Sequence, residues 1–591
     1  MKKTLLSIAI LSSLTLTGCS LDGDDGTDGA PGAQGPVGQQ GIQGAAGNDA
    51  SLGIELALTA RSVLSADGAA EIIQYHAASQ TIFATNGADD AISMIDISGI
   101  TSQALTLPSN DNSLVATSLS LPTELNGIAL GGLTSIAIHD DLLAVAIPAD
   151  AHADDGVIAF YNNLSTAPTL VKAVTVGNLP DMVTFTPDGS KVLVANEGEP
   201  SDDYSVDPEG SIAVIAVTNG IPADTATIID FNDFNDDAAV LASAGVLFPN
   251  PSGRTINGVT INTTVAQDLE PEYITANNQT AYVSMQENNA LAVVNLADNS
   301  VEIVPLGLKS WAGLDIDTVE NGEVSFAQFN GLFGAYQPDS IAQYQWQGQT
   351  IIVTANEGDA REYFFAVADE ASCTAAGGQD YDVNDGCLAY TDEFKIKDLD
   401  AAPGSAFEAL SNDDRIRNLR VTRAGGDTNN DGEFEFAVAY GARSFTLWDQ
   451  NGLVIYDSGD DFERITATIY GSQFNNTDDE NASDDRSENK GPEPEALTVA
   501  TIGNRVYAFI GLERTGGVMI YDVTNPFSVN FVDYVNNRDF TEGLANSDGI
   551  GDLAPESLIV ISATDSPTGK PILAVGNEVS GSVSLWEITQ R

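Results

Sequence analysis

Five times along this chain an apolar strand opens on proline and an acid, and a second strand then closes on Asn-Glu or a near relative. Leu-Pro180-Asp181-Met-Val-Thr-Phe precedes Val-Leu-Val-Ala-Asn196-Glu197, and Glu-Pro271-Glu272-Tyr-Ile precedes Ala-Tyr-Val-Ser-Met-Gln286-Glu287. Pro338-Asp339-Ser-Ile precedes Ile-Ile-Val-Thr-Ala-Asn356-Glu357. Pro494-Glu495-Ala-Leu precedes Tyr-Ala-Phe-Ile-Gly-Leu-Glu513, and Pro555-Glu556-Ser-Leu precedes Ile-Leu-Ala-Val-Gly-Asn577-Glu578. A unit recurring in this way implies a repeat architecture whose successive units stack on one another. It also places carboxylates at equivalent positions of successive units.

Beyond Ser51 the helical period is nearly absent, and runs of four to seven apolar residues alternate with Gly, Asn, Asp and Pro clusters. This is an all-β pattern. Most units carry a third strand, as in Ile92-Ser-Met-Ile-Asp96, Leu291-Ala-Val-Val-Asn295, Phe445-Thr-Leu-Trp-Asp449 and Val583-Ser-Leu-Trp-Glu587. Three or four short strands per unit describe the blades of a β-propeller. Candidate starts fall near Glu71, Leu133, Asp181, Glu272, Asp339, Arg417, Glu495 and Glu556. The Asp339 unit lacks clear outer strands, so seven blades, one of them elaborated, are favoured over eight. The orphan strand from Ile54 to Ala60 is expected to complete the last blade, which breaks off after its third strand, and so to close the ring and remove its sheet edges.

The charge balance excludes whole classes of partner. Eighty-five acidic residues face 23 basic ones, a net of -62, which opposes binding to nucleic acid or to an anionic membrane surface. It favours cations, cationic partners or solubility in salt. Lys2-Lys3, an apolar run from Leu5 to Leu16 and Leu16-Thr17-Gly18-Cys19 resemble a bacterial lipoprotein signal peptide over residues 1–18, with Cys19 as the acylated (palmitate-type) residue. Ser20 follows, without an Asp, which directs the expectation to the outer membrane, on its periplasmic or cell-surface side. From Gly23 to Gly47 glycine stands at every third position, a collagen-like Gly-X-Y run. Residues 19–50 therefore read as a lipidated cysteine with an extended tether reaching on the order of 80 Å, or as a weak trimerising stalk. Cys373 and Cys387 remain, and in an oxidising exported setting they are expected to pair, inside an insertion near residues 364–415 of a propeller spanning 51–591.

Longer stretches carry a family resemblance. Arg486-Ser-Glu-Asn-Lys490-Gly-Pro-Glu493-Pro-Glu495, Ala195-Asn-Glu-Gly-Glu199-Pro, Ala355-Asn-Glu-Gly-Asp359-Ala-Arg361-Glu362 and Gly576-Asn-Glu-Val-Ser580 together resemble the choice-of-anchor I family. These exported bacterial proteins are similar to the animal mesenchyme-specific cell-surface glycoproteins. The resemblance implies a YVTN/WD40-like propeller held by a surface anchor, and some family members carry alkaline-phosphatase-like labels.

In a propeller the Pro-acid and Asn-Glu positions converge on one mouth of the central channel. Two rings follow: Asp181, Glu272, Asp339, Glu495 and Glu556 in one, and Glu197, Glu287, Glu357, Glu513 and Glu578 in the other. Hard oxygen ligands suit Ca²⁺ or Mg²⁺, and repulsion among the acids calls for cations or raised pKa values. Capping of neighbouring backbone N–H groups is the alternative use of these acids. Candidate metal ligands are Glu197, Glu199, Asp359 and Glu578, and in a separate loop Asp427, Asn429, Asp431 and Glu433. That loop resembles the first half of a calcium loop, but Val438 stands where an EF-hand needs its bidentate Glu. Arg361 and Arg514 lie among the acids, and arginine beside a metal-carboxylate cluster is one way to clamp phosphate. Three histidines without ligand spacing oppose zinc hydrolases and Ser-His-Asp catalysis.

Two functions fit. One is a surface lipoprotein propeller that binds Ca²⁺ and a protein or small-molecule partner. The other is a calcium-dependent phosphoric monoester hydrolase, alkaline phosphatase-like or phytase-like, with Glu357, Arg361, Glu495 and Arg514 as its catalytic set.

Overall fold

The computed structural model describes residues 53–64 and 68–591; the signal peptide, Cys19 and the Gly-X-Y segment lie outside the described residues. The described chain is a β-propeller. Seven of its sheets share one pattern, a meander of antiparallel strands counted from the channel outward. Their first strands are Ala69–His76, Ser135–His139, Pro180–Phe185, Ile274–Ala276, Ile341–Trp346, Pro494–Ile502 and Pro555–Ile561, and the sheets are numbered one to seven in that order. Each first strand lies beside that of the next sheet, and that of sheet seven lies beside that of sheet one.

The second strands are buried on both faces because a neighbouring sheet covers each side, and they read as continuous apolar runs. Leu142–Ile147 and Ile572–Asn577 are buried at every position. Outer strands such as Ala116–Ser120 are exposed or half-buried. The core lies between sheets: Leu193 and Ile212 of sheet three pack with Ile274, Val283 and Val294 of sheet four. Buried hydroxyls stitch neighbouring first strands at the inner rim. Ser135 Oγ accepts from Val183 N at 3.3 Å, and Ser557 Oγ accepts from Ile73 N at 3.2 Å.

The outer strand of sheet seven comes from the other end of the chain. Ile54–Val63 pairs antiparallel with Ser582–Gln590, burying Ile54, Leu56 and Leu58 against Tyr507, Phe509 and Trp586.

Sheet five departs from the sequence reading. Its second strand, Gln349–Asn356, pairs with Ser444–Asp449, so residues 357–443 are one excursion between neighbouring strands of one sheet. The start expected near Arg417 founds no sheet of the propeller pattern. Arg420–Thr422 and Ala437–Ala439 instead join Leu308–Ser310, Leu332–Ala335 and Glu393–Lys395 in a separate five-stranded sheet, which includes one parallel pair. Phe445 and Trp448, which look from sequence like the third strand of an Arg417 unit, belong to sheet five. The excursion carries the Cys373–Cys387 disulfide, which joins the helix Glu370–Ala376 to the strand Gly386–Thr391.

Candidate cation centre at the channel mouth

The repeated motif has two parts with different duties. The Asn that ends a second strand is structural: Asn356 Nδ2 donates to Thr446 Oγ1 at 2.8 Å, and Asn196 Nδ2 donates to Ser211 Oγ at 3.2 Å, each tying the second strand to the third. The Glu that follows is released from the ladder. The Pro-acid is freed by another device. The strand registers slip between Pro180 and Met182, between Pro494 and Leu497 and between Pro555 and Ser557, so Asp181, Glu495 and Glu556 sit in β-bulges. A bulge removes a residue from the ladder and re-aims its side chain. The residue before four of the five motif prolines is held in the left-handed region: Leu179, Gln337, Glu493 and Ala554 have φ between 40 and 54°. Such strain in non-glycine residues clusters where the surrounding structure imposes it for a function.

These devices deliver the acids to one place. Glu71, Asp181, Asp339, Glu495 and Glu556 line a single cavity of ≈ 120 Å³ together with Tyr273, the neighbour of Glu272. Sheet two contributes Thr134 and Ser135 at this level. Two sets of three carboxylates bring one oxygen from each residue within 4.8 Å of the others: Asp339, Glu357 and Glu495, and Glu495, Glu513 and Glu556. Glu357, Glu493 and Glu513 form a third set. Glu495 belongs to two of them, and its Oε2 is buried without a hydrogen-bond donor. All-carboxylate oxygen sets of this spacing suit a hard divalent ion.

The electrostatics follow from crowding. Burial, then Glu287, raises Asp181 to about 6. Burial and Glu287 raise Glu199 to about 7 against Tyr363 and Arg361. Glu556 rises to about 8 through burial, its contact with Glu495 notwithstanding. Glu493 goes the other way: burial would raise it, but Lys490, Arg486 and Arg514 bring it down to about 2. Glu493 is thus already neutralised, with Arg486 at 2.7 Å and with Lys490 and Arg514 at 3.1 Å.

The residues singled out from sequence part company here. Glu357 and Glu495 meet in one triad. Glu357 also accepts from Lys490 Nζ and Gln286 Nε2, both at 2.9 Å. Arg514 touches Glu493 and Glu513, both at 3.1 Å, and pairs with Asp478. Arg361 lies elsewhere: its buried guanidinium pairs with Asp268, and with Glu270 at 2.8 Å. Arg443, the counterpart of Arg514 one unit earlier in sequence, is buried on Glu463 at 2.5 Å and on three backbone carbonyls. Glu197 and Glu199 stand beside Asp181 and Glu287, while Asp359 is half exposed and bonded to Lys490 at 3.1 Å. Glu578 acts on Glu71 and Glu556. The Asp427 loop is a separate exposed turn. Asp427 accepts there from the backbone N–H groups of Asn429, Asp431 and Gly432, and Asp431 from that of Glu433. Sequence reasoning passed over Glu493 as a site residue, although it lies in the stretch that carries the family resemblance.

A model of the choice-of-anchor I domain matches residues 71–526. Gigasin-3a of Magallana gigas is 31% identical over 169 residues, which are 27% of this chain and 60% of that protein. The mesenchyme-specific cell surface glycoprotein of Strongylocentrotus purpuratus is 29% identical over 284 residues, 44% of this chain and 35% of that one. The chain thus spans less than two thirds of either relative. Among solved structures, the RRP9 WD40 repeats cover 90% of this chain and 100% of their own at 7% identity and a TM-score of 0.40. Kuenenia stuttgartiensis hydrazine synthase covers 88% and 96% at 12% identity and a TM-score of 0.38. The propeller is read from the sheet order, and these scores add nothing to it.

Proposed function

The chain belongs to the choice-of-anchor I family, a cell-surface-type β-propeller domain, and from that premise we propose that it is an exported, surface-held propeller whose channel mouth binds calcium and presents a calcium-dependent binding face. Acylation of Cys19 would supply the anchor in the outer membrane, and the Gly-X-Y run the spacer or trimerising stalk. The name of the Strongylocentrotus purpuratus relative places that protein on a cell surface, and the same placement belongs to this proposal.

One observation carries the reading: two carboxylate triads share Glu495, whose buried Oε2 has no donor. Three acids around one point repel one another unless a cation or protons intervene. Lys490 and Arg514 relieve Glu357 and Glu513 on one side only, and Asp339, Glu495 and Glu556 have no ion pair among the described residues. The oxygen-only donor set fits Ca²⁺, which takes six to eight such ligands, water among them.

The test is calorimetric titration of the chelator-stripped full chain with calcium chloride, beside the Glu495→Gln variant. Binding that E495Q abolishes supports the centre, and binding that E495Q leaves intact refutes it. Hydrolysis of a phosphate monoester that needs calcium and fails in both E495Q and Arg514→Ala would replace the binding role with the phosphoesterase reading.

A further inference from the structure

The two triads that share Glu495 obey one rule. Each consists of the Pro-acid of a sheet, the acid after that sheet's second strand, and the Pro-acid of the following sheet. Sheet five gives Asp339, Glu357 and Glu495; sheet six gives Glu495, Glu513 and Glu556. Applied to sheet four, the rule names Glu272, Glu287 and Asp339, although the oxygens of these three do not all come within 4.8 Å of one another as in the other two sets. We infer that Glu272 and Glu287 form a further hard-cation site of the calcium class, with Asp339 beside it, separate from the sheet five and six centre.

Observations specific to sheet four carry this beyond the repeat. Glu272 and Glu287 are 7% and 9% exposed, and their side chains meet. Oε2 of each is buried with no hydrogen-bond donor. Acceptor therefore faces acceptor in the interior, and something positive has to lie between them. Asp339 acts on Glu272 from the next sheet, and Glu197 acts on it from the preceding one.

No protein cation fills that role. In sheets five and six a fixed charge touches the acid after the second strand: Lys490 on Glu357 at 2.9 Å and Arg514 on Glu513 at 3.1 Å. Among the described residues, neither Glu272 nor Glu287 makes an ion pair. The nearby positive group is Arg361, which acts on Glu287 from beyond ion-pair distance while it is held by Asp268 and Glu270. A single shared proton would join Glu272 to Glu287 but leave their repulsion from Glu197 and Asp339 largely in place. A divalent ion answers both, and water can complete its shell. Sheet four is thus the member of the series with the ligands and without the built-in counter-charge.

The inference uses residues other than those that test the proposed centre, so either can fail alone. The experiment counts calcium ions per full chain by equilibrium dialysis and calorimetry, with calcium chloride taken to about 10 mM, above the range of weak extracellular sites. The expected result is one ion fewer in Glu272→Gln and in Glu287→Gln, with the ions lost in Glu495→Gln still bound. Melting in chelator guards against a variant that merely misfolds. E272Q is expected to melt at or above the wild type there, since a repelling charge is gone, and to respond less to calcium. An unchanged ion count in both variants overturns the inference. So does an E272Q that melts lower in chelator with its calcium response intact, which would make the pair a proton-sharing structural contact. Loss in E272Q without any loss in E495Q would keep this site and refute the sheet five and six centre.

Discussion

Lys490→Met tests how the fixed and the mobile positive charges divide the work. The ammonium is 12% exposed and touches three acids: Glu357 at 2.9 Å, and Asp359 and Glu493 at 3.1 Å. Their losses are unequal. Asp359 is 51% exposed and solvent screens it, so that pair is worth about 0–1 kcal/mol. Glu493 keeps Arg486 and Arg514 and loses only part of its compensation. Glu357 keeps one neutral donor, Gln286, and is buried. Removing one partner of a buried pair costs about 3–5 kcal/mol, and with Asp359 screened and Glu493 still paired the lower end applies, about 3 kcal/mol at pH 7 in chelator. Calcium should then recover most of that loss, because in the proposed centre Glu357 is a ligand and its charge would pass to the ion. Ligand at about a hundred times its dissociation constant adds about 2.7 kcal/mol. The assay is urea unfolding followed by tryptophan fluorescence, wild type against K490M, in chelator and in saturating calcium. A deficit of equal size in both conditions would show that Lys490 and Glu357 are a structural pair unconnected with cation binding. No deficit in chelator would refute the assignment of the buried charge itself.

Other outcomes follow from the same geometry. Asp181, Glu199 and Glu556 titrate at about 6, 7 and 8 when folded, raised chiefly by burial above their unfolded values near 4. The folded chain therefore holds more protons than the unfolded one across that window, and in chelator its stability falls as pH rises from about 4 to 8. Melting temperatures between pH 5 and pH 8, with and without calcium, check this; the calcium-induced rise should be larger at pH 8. Arg361→Gln leaves Asp268 and Glu270 buried without their counter-ion and should cost about 3–5 kcal/mol in urea unfolding, with the calcium count unchanged. Leu58→Ala removes a side chain 1% exposed, packed with Tyr507, Phe509 and Trp586 on the strand that completes sheet seven. About 2–5 kcal/mol of destabilisation is expected, read as a lower urea midpoint.

How far the site was legible in the sequence depended on which contacts are local. The Pro-acid and Asn-Glu positions could be read because each lies at a fixed offset from its own strand, and the bulge after the proline is set by a few neighbouring residues. The convergence of Asp339, Glu495 and Glu556 follows from repetition alone. The elaborated sheet could not be read this way. Asn356 and Ser444 are partners across an excursion whose own strands imitate a unit of the repeat, so Arg417 looks like a start and is not one. Arg361 shows the same limit at one side chain. Its sequence neighbours are the acids of the Asn-Glu-Gly-Asp stretch, but its partners Asp268 and Glu270 come from the segment before sheet four.

That difference bears on mechanism as well as on reading. The arginine that sequence adjacency offers as a phosphate clamp is held by Asp268 and Glu270 at the approach to sheet four. It therefore acts on Glu199 and Glu287 only from beyond ion-pair distance, and among the described residues the channel acids of sheets three and four make no ion pair. Sheets five and six received theirs from the segment around Lys490 and Arg514. The channel mouth is therefore uneven around its circumference: one side carries carboxylates partly neutralised by lysine and arginine, and at sheets three and four the carboxylates make no ion pair among the described residues. A ring of equivalent acids would bind ions alike at every sheet. This ring should fill first where no lysine or arginine competes, at Glu272 and Glu287, and later at Glu357 and Glu513. In a calcium titration, heat lost on Glu272→Gln should come from the early injections and heat lost on Glu495→Gln from the later ones; the reverse order would mean that ligand geometry, not residual charge, sets affinity at this mouth.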